Sequence, residues 1–319
     1  FWSPRIDRNR KITLPAEYEL CQRTGHIRAF KLDWRPGKDF EPRIFWDSDL
    51  AKWMEAAAYS LETHPDPELE KLLDALIDDM EKAQARDGYL NTYFQTHPEA
   101  KRWSNTERMH ELYCAGHLME AAAAYFNTTG KRKFLDIMCR YADHIDSVFG
   151  PGKGKLKGYP GHEEIELALV KLYKASGKKK YLRLAQSFID ERGQSPNYFL
   201  EERKKRGVKE GFDLSELQAH LPVREQKTAE GHAVRAVYLY SGMADVAQEE
   251  NDDTLKKACR DLWKNITEKR MYVTGGIGPC RHGERFSFDY DLPNEDAYAE
   301  TCAAIGLFFF SYRMLKMDS

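Results

Sequence analysis

The chain has 319 residues, with 49 basic against 51 acidic side chains for a formal charge of −2, and 42% of its residues are hydrophobic. That fraction supplies a core for one large domain or two ordinary ones, while the near-neutral balance excludes a global field that would draw the chain to nucleic acid or an anionic membrane. No apolar run reaches the length of a membrane span, and six scattered cysteines are too sparse for a disulfide scaffold, so free thiols and a neutral ligand are expected. Phe1 stands where a start methionine would, which leaves export open; free thiols favour a cytoplasmic setting.

Taken in chain order, the elements are paired helices. AAAYSLETHPDPELEKLLDALIDDM at 56–80 predicts two helices joined at HPDP, whose prolines suit the first turn of the second helix. The segment at 121–145 lays over that at 167–190, with Gly130 on Gly177, Lys133 on Lys180, Phe134 on Tyr181 and Leu135 on Leu182. In both, an apolar helix ends at a glycine suited to a left-handed C-cap, and a basic turn opens an amphipathic partner. EERKKR at 201–206 reads as a solvated surface, and a fourth pair at 236–263 turns at EENDD. AAIGLFFF at 303–310 predicts a buried helix, and Cys114 and Cys139 fall inside apolar helical patterns as buried thiols. Turns within pairs are short, whereas the links 84–109, 146–161, 191–231 and 270–297 are long and rich in Gly, Pro and aromatics. Uneven spacing argues against a solenoid and for a closed toroid, so the expected fold is all-α, an (α/α)6-type barrel occupying 1–319 and stopping short of its full circuit.

Three histidines occupy parallel settings ahead of the apolar helices: His110, His162 and His232. A helix N-terminus disfavours protonation of a nearby imidazole, and neutral imidazoles suit sugar hydroxyls. Tyr89, Tyr93, Trp103 and Tyr159 lie on the same links, where packing against the loop competes with facing a sugar.

YVTGGIGPCRHGERFSFDYDLPNEDAYAETCA at 272–303 breaks the helical pattern. Asp289, Asp291 and Glu300 match positions of a calcium loop, but Asn294 stands where that loop needs glycine, and TGGIG lacks the Lys-Ser/Thr of a phosphate loop. Glu300 and Cys302 make an oxygen–sulfur pair suited to zinc. Residues i and i+2 of a regular helix face different ways, so joint coordination requires an extended or first-turn backbone; the competing reading is one exposed Glu beside one core Cys.

GGIG, HGERF, DYDLPN and ETCA in that order, with HELYCAGHL and YPGHEEIELAL upstream and FWSPRI at the start, resemble the β-L-arabinofuranosidases of glycoside hydrolase family 127, the Hyp-type family. The resemblance spans essentially all 319 residues. It implies an α/α-barrel catalytic domain with β-sandwich domains to follow, acting by retention on terminal β-L-arabinofuranosyl residues of glycans or glycopeptides. It implies a zinc ion held by one glutamate and three cysteines, one of them the nucleophile; Glu300 and Cys302 fall on two of these ligands. Glu284 falls on the general acid/base, which should be held protonated by a pocket that raises its pKa, and His110, His162 and His232 fall on sugar-pocket histidines. The family's remaining pair of adjacent zinc cysteines is not in this sequence, so the chain is expected to be a fragment that is inactive alone, with any homo-oligomer forming through domains not present. The other readings are a non-catalytic carbohydrate-binding toroid and an α/α-barrel enzyme for another, acidic or unsaturated, sugar, which would show basic residues in its pocket.

Overall fold

A computed structural model describes residues 1–209 and 211–318. The paired helices are α1 (Trp46–Thr63) and α2 (Pro67–Ala83), α3 (Glu111–Thr129) and α4 (Lys133–Val148), α5 (Ile165–Ser176) and α6 (Lys179–Glu191), and α8 (Ala233–Glu249) and α9 (Asp253–Lys269). Between them runs α7 (Tyr198–Lys205), and α10 (Thr301–Asp318) closes the described chain. Among the described residues, β pairing is confined to isolated bridges.

The expected turn chemistry is present. Asp66 accepts from the Glu68 and Leu69 N–H groups at 3.1 Å each, with Pro67 as the first helical residue. Asp252 caps α9 in the same way through Thr254 and Leu255, both at 3.0 Å. Each such cap contributes about 1 kcal/mol. Gly130 and Gly177 end their helices at φ 73° and 74°, the left-handed region that a side chain would strain.

The chain forms two compact units. The first comprises Phe1–Ser104, Met109–Val148 and Lys171–Tyr181. Here α1 packs along α3, whose Ala115 and Ala121–Ala124 let the two backbones approach closely, and Cys114 and Cys139 are buried as expected. Lys171 pairs with Glu120 of α3 and, at 3.2 Å, with Glu55 of α1. Burial, reinforced by the Glu120 charge, raises the Glu55 pKa to about 7. Tyr89 donates to Glu111 at 2.6 Å and the Trp103 N–H to the same carboxylate at 2.8 Å, which ties the link ahead of α3 to its first turn. Tyr89 is fully buried there, so its role is packing.

The second unit comprises Asn105–Arg108, Phe149–Val170 and Leu182–Ser319. Within it, α8 and α10 lie so close that a Cβ on Gly306 would come within 2.4 Å of Val237 Cγ2. Two expectations are corrected in this unit. The 303–310 segment is helical, but only Ala303, Gly306, Leu307 and Phe310 are buried, while Ile305, Phe308 and Phe309 are exposed, because a helix against α8 covers one stripe. The 201–206 run is not simply solvated. Glu202 is buried and accepts from Thr106 N–H and Oγ1 at 2.8 and 3.0 Å, and Arg203 and Arg206 pair with buried Glu107 at 2.7 and 2.6 Å. One face of α7 therefore fastens the 105–108 segment, and Lys204 and Lys205 remain exposed.

Candidate active site

His232 is the N-cap of α8, as its place ahead of an apolar helix predicted, and His110 is the N-cap of α3. His162 lies three residues before α5, with Nδ1 3.0 Å from the Glu163 carbonyl oxygen. Its ring is 5.8 Å from that of His232. His110 belongs to the first unit, where its ring meets those of Phe45 at 6.3 Å and Tyr113 at 5.4 Å. Phe45 in turn lines a cavity of about 710 Å³ with Arg23, Arg43, Trp46 and Tyr93.

The 272–303 stretch is an ordered loop. The Tyr272 N–H bonds the Gly276 carbonyl at 2.9 Å, closing the TGG turn, and Asp289 takes Asn265, Lys269 and Arg270 at 3.1, 2.9 and 2.8 Å. Asp289 is thus an anchor for the loop. Cys280 and Arg285 exchange backbone hydrogen bonds at 3.2 and 3.1 Å around the turn that carries His282, Gly283 and Glu284. Arg285 fixes that turn by donating to Asp213 at 2.9 Å and Ser215 at 3.0 Å, and the Phe286 N–H bonds the Gly231 carbonyl at 2.9 Å.

This turn delivers Glu284 to His232. Glu284 Oε2 is 2.9 Å from His232 Nε2, and Glu284 Oε1 accepts from the Tyr298 hydroxyl at 2.8 Å. Glu284 has φ 49°, a left-handed conformation uncommon for a residue other than glycine and the kind of strain that collects at functional sites. The Glu284 side chain is 45% exposed.

The electrostatics depart from the sequence-based expectation. The Tyr298 hydrogen bond, with that of His232 beside it, outweighs burial and holds the Glu284 pKa below the ordinary glutamate value rather than above it. Burial first, then the nearby Arg235 guanidinium, lowers His232 to about 4, so the imidazole is neutral as expected, though chiefly through desolvation. Its Nδ1 is buried with no hydrogen-bond partner, so the tautomer follows the proton at Nε2.

Arg235 and Arg192 were not legible in the sequence. Arg235 Nη1 stands 3.7 Å from Glu216, whose carbonyl accepts the His232 N–H at 3.2 Å. It is a basic residue beside the acid, of the kind an enzyme for acidic sugars would show, but its charge faces Glu216. Arg192 is wholly buried: it pairs with Glu163 at 2.7 Å and Glu166 at 3.4 Å and donates to the Pro160 and Leu217 carbonyls at 2.7 Å each. Its guanidinium also lies 4.7 Å from the centre of buried Tyr159, which leaves that ring a packing role.

Glu300 and Cys302 meet the backbone condition for joint coordination. Ala299 has φ 41°, α10 starts at Thr301, and the Glu300 carbonyl accepts from Ala303 and Ala304 at 3.1 and 3.2 Å, so the pair straddles a helix start. Cys302 is exposed rather than a core thiol, and both side chains lie close enough to Tyr298 to oppose its ionisation. A carboxylate and an accessible thiol are donor types that zinc takes, and together they would be half of a four-donor set. A second pair that could serve a metal, His117 and Glu120 at 3.6 Å, is buried in the first unit, where Lys171 already neutralises Glu120.

A family model described as the β-L-arabinofuranosidase, GH127 catalytic domain, matches residues 1–319. The curated non-reducing end β-L-arabinofuranosidase of Bifidobacterium longum subsp. longum is 44% identical over 320 residues, taking in 95% of this chain and 48% of its own. A solved GH127 β-L-arabinofuranosidase from Geobacillus stearothermophilus T6 superposes with a TM-score of 0.96 at 51% identity, over 100% of this chain and 52% of that one. A second solved GH127 β-arabinofuranosidase gives 0.89 at 42% identity, over 99% and 49%. A D-mannose isomerase gives 0.53 at 14% identity over 88% of this chain and 73% of its own, a likeness of fold alone, in keeping with the α/α toroid expected from the paired helices. The chain spans about half the length of the relatives it matches.

Proposed function

The chain belongs to the GH127 β-L-arabinofuranosidase catalytic-domain family, and from that premise we propose that the protein releases terminal β-L-arabinofuranosyl residues from glycans or glycopeptides with retention of configuration. The observation that carries this reading is the Glu284 carboxylate held between His232 at 2.9 Å and Tyr298 at 2.8 Å in an accessible loop. In the proposed cycle Glu284 first gives a proton to the departing glycosidic oxygen and then takes one from the incoming water. At rest its pKa is lowered, so the sugar itself must tip the balance: a bound furanose covers the half-exposed carboxylate and strips its water, which favours the protonated form.

His232 stays neutral throughout. It donates from Nε2 to the ionised carboxylate and so holds Glu284 Oε2 in place without acquiring charge. His162 and His110 are proposed to bond furanose hydroxyls. Glu300 and Cys302 are proposed as two of the zinc donors; when bound, the metal would keep a cysteine thiol deprotonated and aimed as the nucleophile. The family's adjacent cysteine pair is not within these 319 residues.

The test is release of L-arabinose from alkyl β-L-arabinofuranosides by the full-length protein and its Glu284→Gln variant. A loss of about 10²–10⁴-fold in kcat/KM is expected. Equal activity would remove Glu284 from its role, and a full-length protein that binds the sugar without releasing it would favour the carbohydrate-binding toroid.

A further inference from the structure

We infer that Tyr298 is a positioning residue for the acid/base, whose hydroxyl fixes the Glu284 carboxylate in the orientation that serves the departing oxygen. This rests on the reading of Glu284 as acid/base. The Tyr298 hydroxyl reaches Glu284 Oε1 at 2.8 Å while His232 occupies Oε2 at 2.9 Å, so the carboxylate is gripped at both oxygens and cannot rotate about its terminal bond without breaking one contact.

The two grips are themselves locked together. Tyr298 and Ala299 donate their N–H groups to the Pro279 and Gly278 carbonyls at 3.0 and 3.1 Å. Gly278, at φ 74°, sits where an added Cβ would be 2.7 Å from the Cβ of Ala233, the residue that follows His232. Tyr298 is therefore referenced to the start of α8 through one backbone pairing and one close packing contact. Glu284 is carried on a turn in the left-handed conformation and its side chain is half-exposed, so its orientation leans on these two contacts. A carboxylate held to the geometry of proton transfer acts faster than one that searches for it.

Tyr298→Phe removes the oxygen and keeps the ring. In the full-length protein, kcat/KM is measured for a series of β-L-arabinofuranosides from nitrophenyl to alkyl leaving groups. Departure of an alkoxide needs the acid and departure of nitrophenolate hardly does, so the variant should lose about tenfold or more on alkyl substrates and little on nitrophenyl ones. Its melting temperature should be unchanged, and Tyr298→Phe should add little to the loss in a Glu284→Gln background. A loss equal across the series, no loss at all, or full additivity with Glu284→Gln overturns the assignment. A wild type inactive on every member refutes the arabinofuranosidase reading and this role with it, an outcome distinct from an active wild type with a flat series.

Discussion

Replacing Arg192 with Met tests what holds the His162 loop. The arginine is fully buried, pairs with two buried carboxylates and donates to two carbonyls from opposite sides, Pro160 ahead of His162 and Leu217 in the segment that leads to His232. Removing it takes the ion-pair partner from Glu163 and Glu166, with the charge of Arg235 still acting on Glu163, and leaves the two carbonyls without this donor. Breaking a buried pair in this way costs about 3–5 kcal/mol. At about 2.1 cal/mol/K of unfolding entropy per residue, that is a fall of roughly 4–8 °C in melting temperature for a chain of this size.

The loss also has a sign in pH. Burial already raises Glu163 to about 7 with Arg192 lowering it, so without the arginine the folded-state value rises further. A carboxyl with a raised folded pKa contributes stability that is present below the unfolded value of 4.5 and lost as pH rises through the folded one. The variant should therefore be closer to wild type at pH 5 than at pH 8, by differential scanning calorimetry at both. Glu163→Gln added to Arg192→Met should recover part of the loss. A variant within about 1 kcal/mol of wild type at pH 8, or one further below wild type at pH 5 than at pH 8, would overturn this assignment.

Three further outcomes are expected. His232 is near 4 when folded against an ordinary 6.5, so the unfolded chain binds its proton first on acidification; stability falls as pH drops from about 6.5 to 4, by on the order of 2 kcal/mol, and His232→Gln should flatten that slope in thermal melts. Gly306→Ala places a methyl 2.4 Å from Val237 Cγ2 and should cost about 1–3 kcal/mol by overpacking, with an unchanged melting temperature showing that α8 and α10 have room to part. Zinc added to the full-length protein should slow alkylation of exposed Cys302 and a chelator should restore it, followed by peptide mass spectrometry; indifference to both would remove Cys302 from the proposed ligands.

The helical pairs were legible because their punctuation is local: Gly130, Gly177, Asp66 and Asp252 each do at one position what the turn requires. Family-like motifs pointed to Glu284, His162 and His232, and the structure brings these three into one unit. The buried arginines were not legible, since a charged side chain in a sequence reads as surface, and only tertiary structure surrounds Arg192 with Glu163 and Glu166. The same holds for Glu202 and Glu107, buried partners hidden in what looked like a solvated charge run. Tyr298 carries no motif; it reaches Glu284, fourteen residues earlier, because the 298–299 backbone pairs with 278–279. The direction of the Glu284 pKa depended on that same contact, so the expectation of a raised value had no sequence signal against it.

Glu284 is proposed as the acid/base of a retaining arabinofuranosidase. Glu284→Ala in the full-length protein, assayed on a nitrophenyl β-L-arabinofuranoside with added azide, tests it most directly. Azide should enter the space the carboxylate vacates, accelerate turnover and leave as the β-configured glycosyl azide. No acceleration, or an α-configured azide, would contradict the account.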